Sequence, residues 1–90
     1  MKRVFLSENI RDQVCHLPPN LKKKIRNAFD EILTNPSIGK ALEEELAGLL
    51  SYKLGRVRIV YKITHPEITI VAMGPRKTIY EKVIFELRRK

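Results

Sequence analysis

An alternating run near the middle of the chain constrains its fold most strongly. The run YKLGRVRIVYKI, from Tyr52 to Ile63, alternates between apolar and polar side chains on either side of a short break. A period of two is typical of strands that bury one face. The break, Gly55-Arg56, puts glycine first in a two-residue loop, as a type II′ hairpin turn prefers. The run therefore predicts a β-hairpin.

This hairpin has one register that keeps its charges out of the core. Its apolar pairs are Leu54 with Val57 and Tyr52 with Ile59. Lys53 then lies opposite Arg58 on the other face. A slip of one residue would turn both charges into the core. Because like charges opposite each other weaken a sheet, the pair indicates a surface that binds an anion.

A second hairpin extends this surface. Pairing Ile63 with Ile68 across the turn THPE places Arg58 opposite Met73, directly before the segment GPRK. Arginine suits bidentate contact with phosphate. We therefore expect an anion site on the exposed face of the sheet, formed by Lys53, Arg58, Arg76 and Tyr80.

Helical periodicity flanks the strands. After a strand at residues 2–6, the spacing predicts helices over residues 7–17, capped by Ser7, and from residue 21 to the breakers in TNPSIG. A last helix follows the strands, with Thr78 and Glu81 at capping-box spacing. The segment 39–50 is either a short turn of helix or a loop.

The order of these elements predicts one α+β domain over residues 1–90. We expect the order β-α-α-β-β-β-α, with a four-stranded, mainly antiparallel sheet. A helical hairpin packs on one face of the sheet, and a C-terminal helix completes the domain.

The net charge narrows the kind of partner. The chain has 18 Lys and Arg against 10 Asp and Glu, a net charge of +8. Residues 52–90 alone carry ten basic and three acidic side chains. Such an excess favours nucleic acid, an acidic protein or a membrane surface as partner.

Other features limit the cellular setting. The single cysteine, Cys15, excludes an internal disulfide and favours a reducing compartment. The first residues lack the apolar run of a signal peptide, and no stretch approaches a membrane span. We expect a cytoplasmic protein. No spacing of metal ligands is present, so no metal and no cofactor are predicted.

Two segments resemble those of a known family. SYKLGRVRIVYKI resembles the Arg-rich strand pair of the RelE/ParE superfamily, the toxins of type II toxin–antitoxin modules. VAMGPRKTIYEKV resembles the superfamily's last strand, basic turn and following tyrosine. The likeness is to the RelE-like branch, whose members cleave mRNA in the ribosomal A site and repress translation. It implies a cognate antitoxin, and mRNA on the ribosome, as partners.

The resemblance also implies roles for individual residues. Lys53 is the candidate general base for the ribose 2′-hydroxyl. Arg58 and Arg76 are candidates for binding the scissile phosphate, and Tyr80 for stacking on a nucleotide. Cleaving members often carry a further lysine near the hairpin, which is not obvious here. Further candidates for RNA contact are Arg56, Lys62 and Lys77.

Two other functions stay open on the sequence alone. The strand type GRxRIVY also occurs in ParE-like toxins, which inhibit DNA gyrase by binding without cleavage. A non-catalytic RNA-binding module would show the same charge and a steep salt dependence. The complete set of basic residues with tyrosine favours cleavage.

Overall fold

The computed structural model describes residues 3–64 and 67–88, without the side chains of residues 3, 45, 76, 77, 86 and 87. The α-helices in this part of the chain are α1 (Glu8–Cys15), α2 (Pro19–Thr34) and α3 (Arg76–Arg88). The strands are β1 (Arg3–Leu6), β2 (Lys40–Ala41), β3 (Leu50–Leu54), β4 (Val57–Thr64) and β5 (Glu67–Pro75). Short 3₁₀ turns cover Pro36–Ile38 and Glu44–Leu46. No helix in the described ranges is long and apolar enough to cross a bilayer.

The strands form one five-stranded sheet in the order β1-β5-β4-β3-β2. β1 pairs with β5 in parallel, and the other neighbours are antiparallel. The predicted α+β class is confirmed. The expected count of four strands is wrong by one, because two residues of the undecided segment 39–50 pair with β3 as strand β2.

The helix starts follow local chemistry. Ser7 caps α1 as predicted, and its hydroxyl oxygen accepts a hydrogen bond from the Ile10 amide at 3.3 Å. Pro19 opens α2 at a position where its missing N–H is not needed. The predicted cap at Thr78 is wrong, because β5 runs on to Pro75 and α3 begins directly after it.

Hydrophobic cores lie on both faces of the sheet. α1 and α2 cover one face, where the main core includes Ile25, Ile32, Ile59, Tyr61 and Ile68. α3 and the turn at Glu44–Leu46 cover the other face, where the second core contains Leu46, Leu49, Val60, Ala72, Ile79 and Val83. The sheet face that carries Arg58 is therefore partly covered by α3, and the expectation of an exposed face is wrong.

A bulge shifts part of the β4–β5 pairing. The predicted register holds as far as Tyr61 and Ile70. An extra residue in β5 then places Arg58 opposite Gly74, not opposite Met73. Met73 turns into the main core instead. The smallest residue in the chain therefore stands beside the arginine.

Candidate functional site: a cationic cleft

The hairpin between β3 and β4 has the predicted register. Gly55 has a φ of +61°, and Arg56 is not among the residues with positive φ, the combination that a type II′ turn uses. Lys53 pairs directly with Arg58. The two cations therefore project from the same side of the sheet, the side on which α3 packs.

Arg58 is largely removed from water and has no carboxylate partner in the described part of the chain. Its residue is only 9% exposed. Its Nη1 donates to the carbonyl oxygen of Gly55 at 3.4 Å, a long hydrogen bond. Within the described ranges no carboxylate pairs with it. A guanidinium offers five N–H donors, and a buried charge is costly unless it is paired. Arg58 is therefore suited to receive an anion.

A cleft of about 340 Å³ opens beside Arg58. Its lining residues are Lys40, Leu42, Ser51, Arg58 and Tyr80. The Ser51 and Tyr80 hydroxyl oxygens lie 3.2 Å apart, so a hydrogen bond joins β3 to α3 at the cleft. We call this space the cationic cleft. Its described lining residues supply two positive charges and two hydroxyl groups.

This set of groups limits what the cleft can do. Lysine and arginine bind phosphate oxygens, and a phenol donates a hydrogen bond or stacks on a base. Among the residues that the structure describes, no histidine or carboxylate lines the cleft. No cluster of three or more potential metal ligands occurs among the described residues. The cleft is therefore equipped for electrostatic stabilisation of an anion.

The other described candidates lie around the cleft. Lys53 is exposed beside Arg58 but does not line the cleft. Lys62 is exposed on the same strand as Arg58, about 13 Å further along it. Arg56 lines a separate groove of about 600 Å³ between α2 and the hairpin. The structure thus brings Arg58 and Tyr80 together, with Lys53 at the margin and Arg56 apart.

Two predicted residues can be placed only by their backbone. Arg76 and Lys77 are the first residues of α3. Arg76 follows Pro75, which pairs with Val57, the neighbour of Arg58 in β4. Their side chains lie outside the described part of the structure.

Three lining residues were not among the sequence candidates: Lys40, Leu42 and Ser51. Ser51 carried a usable signal, because it stands two residues before Lys53 and so shares its face. Lys40 and Leu42 carried none, since their placement follows from the pairing of a two-residue strand with β3.

The comparisons with known proteins agree with this architecture. A family model described as the ParE toxin of type II toxin–antitoxin systems, parDE, matches residues 7–80. The chain belongs to this toxin family. The predicted membership of the RelE/ParE superfamily is confirmed, and the protein is a toxin of a type II toxin–antitoxin system.

Two similar proteins come from Mycobacterium tuberculosis. The toxin is 31% identical to Toxin RelG of Mycobacterium tuberculosis over 83 residues, which cover 88% of this chain and 95% of RelG. The M. tuberculosis RelBE2 toxin–antitoxin complex matches with a TM-score of 0.73 and 27% identity, over 82% of this chain and 96% of that chain.

A more distant structure shows the same fold. A mutant of the E. coli toxin RelE in the free state matches with a TM-score of 0.73 over 96% of this chain and 94% of that chain, at 16% identity. At that identity the likeness concerns the fold alone.

Proposed function

We propose that this toxin is a ribosome-dependent mRNA endonuclease that acts in the cytoplasm and represses translation. The observation that carries the proposal is Arg58, which is 9% exposed, has no carboxylate partner among the described residues and faces a cleft with Tyr80. Phosphoryl transfer depends mainly on positioning and on stabilising negative charge, and fixed cations supply both.

The proposed reaction is an internal transesterification of RNA. Lys53 accepts the proton of the ribose 2′-hydroxyl, and the 2′-oxygen forms a bond to the adjacent phosphorus. The bond from phosphorus to the 5′-oxygen breaks, that oxygen takes a proton from water as it leaves, and Lys53 returns the proton it accepted to the solvent. Arg58 and Arg76 neutralise the charge that develops on the phosphate, and Tyr80 stacks on a nucleotide. The products are a 2′,3′-cyclic phosphate and a 5′-hydroxyl end.

Induced expression in bacteria with mapping of mRNA 5′ ends tests this proposal. The wild type should arrest growth and cut inside translated codons. Arg58→Ala should abolish both effects, because losing one preorganised charge contact lowers a rate by roughly 10²–10³-fold. Arg26→Ala is the matched control, since Arg26 is exposed on α2, across the sheet from the cleft. Growth arrest with intact mRNA would contradict the proposal.

The matching family model favours a second candidate function. It is a model of ParE toxins. A ParE-like toxin would inhibit DNA gyrase by binding alone, without cleavage. On this second function, arrest would persist with intact mRNA, and the purified toxin would block supercoiling by gyrase.

An antitoxin is the proposed protein partner. Solved relatives of this toxin include toxin–antitoxin complexes from M. tuberculosis, E. coli and Pyrococcus horikoshii. We expect the cognate antitoxin to contribute an acidic or amphipathic segment, which covers the basic face or displaces α3. Co-expression with the antitoxin should prevent the arrest and yield a complex on purification.

A further inference from the structure

Lys40 reaches the cationic cleft from the edge strand of the sheet. Strand β2 has only two residues, and Lys40 pairs with Ser51 of β3. Paired residues of neighbouring strands project to the same face, so Lys40 shares the face of Ser51 and Arg58. Lys40 is exposed and lines the cleft that Arg58 and Tyr80 also line.

A buried tyrosine fixes the segment that carries Lys40. The Tyr61 hydroxyl donates to the Pro36 carbonyl oxygen at 2.6 Å and accepts from the Gly39 amide at 2.9 Å. Gly39 directly precedes Lys40, and Tyr61 is 0% exposed in the main core. The backbone at Lys40 is therefore held both by the sheet and by a side chain of the core.

The charge of Lys40 has no ionic partner among the described side chains. Within the described part of the chain no carboxylate pairs with Lys40. The strand spacing puts the backbone of Lys40 about 10 Å across the sheet and about 7 Å along it from that of Arg58. Both side chains are long enough to meet an extended anion that lies in the cleft between them.

We propose that Lys40 is a phosphate-contacting residue of the RNA site. The ligand class is the phosphodiester backbone of single-stranded RNA, which presents consecutive charges to Lys40 and Arg58. This inference rests on the proposed function for its ligand, but it concerns binding and not cleavage.

Salt-dependent binding of an uncleavable RNA measures such a contact directly. A fluorescent oligoribonucleotide with 2′-O-methyl groups is titrated with wild-type toxin at several salt concentrations. Each phosphate contact contributes about 0.7 to the logarithmic salt slope for single strands. Lys40→Ala should reduce the slope by about 0.7, and Lys40→Arg should restore it.

Lys23→Ala is the matched control for this measurement. It removes the same charge from an exposed position on α2, across the sheet from the cleft, and should leave the slope unchanged. Urea unfolding of each variant separates loss of contact from loss of structure, because a folding defect lowers stability whereas a lost contact does not.

The possible outcomes separate this inference from the proposed function. A slope that is equal in wild type and Lys40→Ala would overturn the role of Lys40 while leaving cleavage untouched. Absence of wild-type RNA binding at low salt would overturn it as well. A reduced slope in Lys40→Ala, together with intact mRNA on the ribosome, would support Lys40 as an RNA contact and remove the endonuclease proposal.

Discussion

The phenolic oxygen of Tyr80 lies 3.2 Å from the hydroxyl oxygen of Ser51. Ser51 is 7% exposed in the middle of the sheet, whereas Tyr80 is half-buried on α3. The contact joins the C-terminal helix to the strand pair that carries Lys53 and Arg58. It holds the side chain of Tyr80 in the cleft. Removing the serine hydroxyl would release this side chain.

Ser51→Ala should therefore affect cleavage more than it affects the stability of the protein. We expect the free energy of unfolding to fall by about 0.5–1.5 kcal/mol, because one hydrogen bond is lost and water reaches the half-buried Tyr80. Ser51→Ala and Tyr80→Phe should lower cleavage to a similar extent, because each removes the hydrogen bond that positions the Tyr80 ring, and the double variant should be no worse than either single variant. Ser37→Ala, at an exposed serine, is the control. Additive losses in the double variant would contradict this coupling.

Tyr61→Phe should destabilise the protein clearly. The change leaves the Pro36 carbonyl and the Gly39 amide without the partner they have in the core. We expect a loss of about 1–3 kcal/mol for each group that is not reached by water. Tyr52→Phe is the control, since the Tyr52 hydroxyl donates to the Glu31 carboxylate near the surface. Equal losses in urea unfolding of the two variants would contradict the account.

The buried phenol of Tyr61 should also make the free energy of unfolding depend on pH in the alkaline range. Burial raises the pKa of Tyr61 above its ordinary value of 10.0, with the Gly39 hydrogen bond acting in the opposite direction. As the pH rises through 10.0, Tyr61 ionises in the unfolded chain, whereas the folded chain keeps this proton to a higher pH because its pKa is raised. The unfolded state then binds fewer protons, so the free energy of unfolding falls with rising pH.

The comparison with Tyr61→Phe isolates this effect. Lysines also titrate in this range, but they do so in both proteins. Unfolding by urea between about pH 9 and about pH 11 should show a shallower decline in Tyr61→Phe than in the wild type. Parallel declines would mean that Tyr61 ionises equally in the folded and unfolded states.

Gly39→Ala should also disturb the support of Lys40. The glycine has a φ of −76°, which any residue adopts, so the constraint is space. An added Cβ would lie 2.6 Å from the Tyr61 hydroxyl oxygen and 3.1 Å from the Ser51 carbonyl oxygen. We expect a loss of about 1–3 kcal/mol from overpacking, and a smaller loss in the Tyr61→Phe background. A neutral substitution in thermal unfolding would show that β2 adjusts freely.

The hairpin was predictable because its pattern of apolar and charged residues allows only one register. Its apolar residues alternate with Lys53 and Arg58, so only one register keeps the charges out of the core. The stripe of α3 was predictable for a similar reason, and Ile79 and Val83 are indeed fully buried. The sequence did not indicate on which face of the sheet α3 packs. The exposed cationic face was predicted from the positions of the charges alone, without a position for this helix.

The bulge and strand β2 lay beyond sequence reasoning. The end of β5 runs through Val71, Ala72 and Met73, and no polar side chain there marks which residue is extra. Both faces are covered at this point, so the alternation that fixes a register is missing. Strand β2 exists through pairing with β3 and the Tyr61 hydrogen bonds, which join residues distant in sequence. For this reason Lys40 was not recognised as part of the cleft.

Analysis of RNA ends after reaction on the ribosome tests the central claim most directly. Purified toxin is mixed with ribosomes that hold a defined mRNA codon in the A site, and the fragments are examined chemically. We predict a 2′,3′-cyclic phosphate and a 5′-hydroxyl end with the wild type, no product with Arg58→Ala, and unchanged product with Arg26→Ala. Intact mRNA with the wild type, or equal cleavage by Arg58→Ala, would contradict the claim that the cationic cleft is a nuclease site.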